Sequence, residues 1–180
     1  MQKLITILCL FLFSLSIQAQ DTLSFLESWS GIYVGTLDIY GPKGLAQSLP
    51  MELHILPIEG SENYSWLIIY GEDKVEGARD YIIEPTDPST GLYTIDEQNT
   101  IRIEGYLRGN VYAEVFTVAG SQIIVTTEKL EDGNLLWEIL ANSTEPVSST
   151  GNEVFEEEEI PEVLTFPVSV YQRALLKKQD

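Results

Sequence analysis

From residue 100 to 141 the chain runs as four short apolar-rich segments divided by three tight turn signals, Gly109-Asn110, Ala119-Gly120 and Glu131-Asp132-Gly133-Asn134. No other feature restricts the fold as strongly. Segments this short, rich in Ile, Val, Tyr, Thr and Trp, favour extended backbone, and turns of this composition reverse it into sequential antiparallel hairpins. Strict alternation sets Ile101, Ile103, Val111, Ala113, Val115, Ile123, Val125, Leu135, Trp137 and Ile139 on one face. Arg102, Glu104, Arg108, Glu114, Glu128 and Glu138 fall on the other. One face is expected to be buried and one wet.

The same vocabulary extends back to Gly31, giving expected strands near 31–40, 50–57, 64–71, 76–84, 91–96, 100–108, 111–118, 121–130 and 134–141. Ahead of them Asp21 or Thr22 can cap a short helix, in which Leu23, Phe25, Leu26 and Trp29 recur at helical spacing. No long amphipathic helix separates the strands, which disfavours parallel βαβ units. The expected fold is therefore all-β, an antiparallel up-and-down meander of about 8–10 strands with a short N-terminal helix. An open sheet of that size would leave two long edges, so closure into a barrel is preferred, with a Greek-key sandwich as the alternative.

Residues 142–161 interrupt the rhythm with Asn142-Ser143-Thr144-Glu145-Pro146, Ser148-Ser149-Thr150-Gly151 and Glu156 to Glu159, and read as a flexible acidic loop. The run Val163 to Tyr171 follows, with Pro167 in its middle. It is long enough to return as a closing strand at an edge or a bulge. Arg173, Lys177 and Lys178 form the basic end of the chain.

Residues 1–19 have the form of a cleaved signal peptide: Lys3, then an apolar stretch from Leu4 to Ile17, then Gln18-Ala19-Gln20 with Ala19 as the last residue removed. Gln18 and Gln20 close the apolar run too early for a spanning helix, and Ile7-Leu8 before Cys9 do not suit a lipid-attachment signal. Cleavage leaves a single domain over residues 21–176, located in the periplasm or secreted. It also removes Cys9, the only cysteine, so packing rather than disulfides must hold the domain together. The net charge of −18 repels nucleic acid and anionic lipid headgroups, so neither nucleic acid nor stable membrane insertion is expected, and the protein is expected to be a monomer.

The segment Phe25-Leu26-Glu27-Ser28-Trp29-Ser30-Gly31-Ile32-Tyr33 resembles the helix and first strand of the calycin superfamily, the lipocalin-like and fatty-acid-binding-protein-like β-barrels. Lipocalins place Gly two residues before Trp, whereas here Trp29 precedes Gly31. The resemblance implies a closed barrel in which Arg173, from Tyr171-Gln172-Arg173, packs over Trp29 as a barrel-closing pair. Haem-binding nitrobindins of that group use a histidine late in the chain; the only histidine here is His54, so no haem or other cofactor is expected.

Catalytic and metal chemistry find little support. His54 shares the polar face of its strand with Glu52 and has no Ser-His-Asp or metal-binding companions in the sequence pattern. The glutamates from Glu153 to Glu162 lack the spaced Asp, Asn and Gly of a calcium loop. Asp38, Glu84, Asp96, Glu104 and Glu114 sit where a wet strand face puts carboxylates, and no spacing selects an acid/base pair among them. No catalytic residue and no metal ligand is assigned. Aromatic residues in a small barrel either fill the interior or line a cavity. The expected role is accordingly non-enzymatic binding of a small hydrophobic ligand, by Trp66, Tyr81, Ile103, Val115, Val125 and Trp137. A solid-cored structural or protein-interaction module of the cell envelope is the alternative, and an enzyme the third reading.

Overall fold

The computed structural model describes residues 24–180. The signal segment, its cleavage point and the capping positions Asp21 and Thr22 lie outside the described residues. Helix α1, Phe25–Trp29, is capped instead by Ser24, whose hydroxyl accepts from the Glu27 amide while the Glu27 carboxylate accepts from the Ser24 amide. This reciprocal arrangement satisfies two orphan donors of a helix too short to stabilise itself.

Nine strands follow in a meander: β1 Gly31–Gly41, β2 Gly44–Ile55, β3 Tyr64–Tyr70, β4 Ala78–Asp87, β5 Leu92–Asp96, β6 Arg102–Arg108, β7 Val111–Val118, β8 Ser121–Lys129 and β9 Leu135–Ser143. Four short strands come next: β10 Ser148–Thr150, β11 Glu153–Phe155, β12 Glu158–Ile160 and β13 Val163–Thr165. The last, β14 Val168–Lys178, inserts between β9 and β1 and closes a ten-stranded antiparallel barrel. Closure gives every barrel strand two neighbours and removes the sheet edges. The sandwich alternative is thereby excluded.

Two expectations about the C-terminal region need correction. Val163–Thr165 does not belong to the closing strand; it pairs with β10, while β11 pairs with β12, so the segment expected as a flexible acidic loop carries short antiparallel strands and forms a small arm. Pro167 separates that arm from β14, because a proline cannot donate to a central ladder. The closing strand runs on to Lys178, and Lys177 and Lys178 pair opposite Val34 and Tyr33.

Helix α1 sits at the end of the barrel where β1 begins and β14 ends. Phe25, Leu26 and Trp29 are buried there against Tyr33, Tyr93 and Tyr112 in one continuous core. The Phe25 ring meets Trp29 and Tyr93 edge-on at 4.6 and 4.7 Å, and the Tyr33 hydroxyl donates to the Trp29 carbonyl at 2.8 Å. The acidic arm leaves the barrel at the opposite end, between β9 and β14. One end is therefore plugged by aromatic side chains, and the interior towards the other is less completely filled.

Candidate functional site

Between the aromatic plug and the arm-bearing end lies a cavity of about 160 Å³. Strand β3 contributes Trp66, Ile68 and Tyr70 to its wall, β4 Tyr81, β6 Ile103, β8 Val125, and β9 Trp137 and Ile139. Ile95 comes from β5 with Glu97 just beyond it, and β7 supplies Glu114 and Phe116. Trp66 and Trp137 are buried. Tyr81, Ile103, Phe116 and Ile139 keep partial exposure although they face inward, which gives the cavity access to solvent.

Five of the six residues expected at a ligand site, Trp66, Tyr81, Ile103, Val125 and Trp137, meet around this cavity. Val115 does not. It is exposed on the outer face, where it borders a surface hollow with Ile101 and Val118. The cause is the phase of β7. The two-residue turn at Gly109-Asn110 sets Arg108 opposite Val111, so Leu107 opposes Tyr112 and Gly105 opposes Glu114. With Ile103 facing inward, that register turns Tyr112, Glu114 and Phe116 into the barrel and Val111, Ala113 and Val115 outward. The β7–β8 ladder requires the same, since it pairs Glu114 with inward-facing Val125.

Glu114 is the feature that alternation of apolar residues missed. It is only 7% exposed. No hydrogen-bond donor among the described residues meets its carboxyl, yet no oxygen of it is sealed from solvent without a partner. Burial, and then the negative charge of Glu97, push the acid from the usual 4.5 up to about 8. Burial likewise raises the hydroxyls of Tyr70 and Tyr112, with a smaller contribution from the Glu114 charge. The site is thus an aromatic-walled hollow holding one buried acid.

The other strand carboxylates stay outside. Arg102 binds Glu84 and, at 2.6 Å, Asp96; Asp38 accepts from Ser48 at 2.5 Å; Glu104 is exposed. Glu114 is therefore alone of the five in facing the cavity, and they form no acid/base pair there. His54 lies 2.9 Å from Glu52, which also binds Lys74 at 2.6 Å. Among the described residues no three metal-ligating side chains converge. A larger hollow of about 500 Å³ in the arm is bordered by Glu153, Val154 and Glu159, but these are exposed, and neither aromatic walls nor a buried polar group faces it.

The expected Trp29–Arg173 pair is not formed. Arg173 lies on the outer face of β14, paired opposite Asp38 and 3.5 Å from Glu138, because inward positions on that strand fall to Ala174 and Leu176. The basic groups at the plugged end are lysines: Lys129 donates to the Ser28 carbonyl, and Lys178 lies 5.8 Å above the Tyr33 ring.

The fold and cavity define a closed ten-stranded antiparallel β-barrel with a partly hollow interior, an architecture compatible with calycin-like barrels. No family model, curated protein or solved structure matches the chain.

Proposed function

We propose that the protein is an exported, non-enzymatic β-barrel that binds a small hydrophobic molecule in the cavity between its two ends. The observation that carries this reading is the cavity itself, enclosed by Trp66, Tyr70, Tyr81, Phe116 and Trp137 together with aliphatic side chains. Its volume is close to the roughly 150 Å³ of an engineered apolar cavity that accepts benzene, so the matching ligand is one ring or a short branched chain. Export rests on the form of residues 1–19, and it places the barrel in the periplasm or outside the cell. The outer face bears Glu52, Glu84, Asp96, Arg102, Glu138 and Arg173, charges unsuited to contact with lipid.

Native mass spectrometry of freshly purified protein tests the reading, with xenon or a small aromatic dye as a probe of the emptied cavity. A mass increment that disappears on denaturation, or saturable probe uptake, is expected. An interior that admits neither xenon nor dye would overturn it.

A second reading draws on the arm. Val154, Phe155, Val163, Leu164 and Phe166 are exposed there beside its glutamates. Exposed apolar side chains gathered on a projecting element suit a protein-interaction module of the cell envelope. Deleting residues 145–161 separates the two roles, because a cavity ligand survives the deletion and an arm-bound partner is lost.

A further inference from the structure

Glu114 occupies an unusual place. It stands near the middle of β7, with Gly105 opposite on one side and Val125 opposite on the other, so neither neighbour offers its carboxyl a polar partner. With no protein donor among the described residues and no oxygen sealed from solvent, the carboxyl is met only through the opening of the cavity, where a ligand that displaces the water must itself supply a partner.

The charged and titratable groups around it narrow what that partner can be. Glu97 of the β5–β6 turn borders the same cavity. Tyr70 and Tyr81 line it from β3 and β4, and Tyr112 lies on Glu114's own strand. Among the described residues, Arg79 of β4 is the cation whose charge reaches Tyr70 and Tyr81, but it is exposed and donates to the carbonyls of Glu76 and Ala78 at 3.2 and 2.8 Å. A ligand carboxylate would enter against two carboxyl groups. A wholly apolar ligand would leave Glu114 unpaired in a drier site. A cation satisfies it, and the faces of Trp66, Tyr81 and Trp137 attract cations as well. The chain's net charge of −18 draws cations towards the barrel from a distance.

We propose that the cavity's ligand is a small hydrophobic amine, its ammonium group set against the Glu114 carboxylate and its hydrocarbon part among Trp66, Tyr81 and Trp137. This rests on the cavity reading above and adds the chemical class of the ligand. With an available volume of about 160 Å³, the amine has one ring or a short branched chain. The exchange balances as a protonated Glu114 plus an alkylammonium giving the ion pair and one released proton. Because the empty site holds its proton up to about pH 8, amine affinity should rise from pH 6 to pH 8.

The test is isothermal titration of the full chain with benzylamine and with ethylbenzene, its neutral isostere, at pH 6 and pH 8. At pH 8 the amine should bind about tenfold or more tightly than ethylbenzene, with a smaller ratio at pH 6. Glu114→Gln and Glu114→Leu should each abolish the preference, the ratio of benzylamine to ethylbenzene affinity falling to about one or below and losing its dependence on pH. Ethylbenzene bound as tightly as benzylamine at both pH values, or an amine preference that survives in Glu114→Gln, would overturn the amine proposal and leave the cavity reading standing. Failure of both compounds to bind would overturn both.

Discussion

Glu114 lies directly across the β6–β7 ladder from Gly105, and the Tyr112 ring takes the space that a side chain at Gly105 would fill. A Cβ there would come within 2.3 Å of the Tyr112 hydroxyl oxygen and 2.4 Å of its Cζ. Gly105 thus lets Tyr112 reach towards Phe25, Trp66 and Tyr93, joining the plug to the cavity above it.

Gly105→Ala should therefore act as an overpacking substitution. The Tyr112 ring is buried and packed against Phe25, Trp66 and Tyr93, so a loss of about 1–3 kcal/mol is expected. Urea denaturation read by circular dichroism measures it.

The Glu114 acid makes a prediction about pH. Its folded value of about 8 lies above the ordinary 4.5, so between those values the folded state holds a proton that the unfolded state has released. Stability therefore falls as pH rises through that window. Replacing Glu114 with Gln removes this component. The variant should gain on the wild type by a few kcal/mol, in order of magnitude, between pH 4.5 and pH 8, as seen in paired denaturation curves.

At the plugged end the two residues expected to act together should behave very differently. Trp29→Ala removes a buried ring packed on Phe25 and should cost about 3–5 kcal/mol. Arg173→Ala removes an exposed partner of Glu138 and should cost at most about 1 kcal/mol. A comparable loss for both, in the same denaturation assay, would contradict the placement of Arg173 outside.

The arm should be dispensable for the barrel. Asn142 already pairs with Val168, so β9 and β14 remain neighbours without it. Replacing residues 146–166 with a short Gly-Asn turn should leave the thermal midpoint within about 4 °C of the parent, measured by scanning calorimetry.

Much of this architecture is legible in the sequence because alternation and turn chemistry are local. The turns at Gly109-Asn110 and Ala119-Gly120 and the inward phases of Ile103, Val125, Trp137 and Ile139 all follow from residues within a few positions of one another. Glu114 was within reach too. Once Gly109-Asn110 is read as a two-residue turn, Ile103 must share its face with Phe116, and Glu114 must share it with Gly105. Apolarity pulled the other way, because Val111, Ala113 and Val115 form the more hydrophobic set on β7. Turn geometry prevailed.

The position of Arg173 and the pairing of the arm were not legible in the same way. Both depend on where β14 enters the barrel, a contact between distant parts of the chain. A run of glutamates carries no local sign that Glu153–Phe155 and Glu158–Ile160 will pair. Their turn places Glu156 and Glu157 at positive φ, a conformation that composition alone does not favour.

The central claim, that the upper barrel is a binding cavity, is tested most directly by an NMR titration of the full chain with ethylbenzene, following the three tryptophan indoles and the isoleucine and valine methyl groups. Saturable shifts of Trp66, Trp137, Val125 and Ile139 are predicted, with Trp29 and the outward-facing Val115 unmoved. The absence of saturable shifts, or shifts centred on Val115 and the outer face, would contradict it.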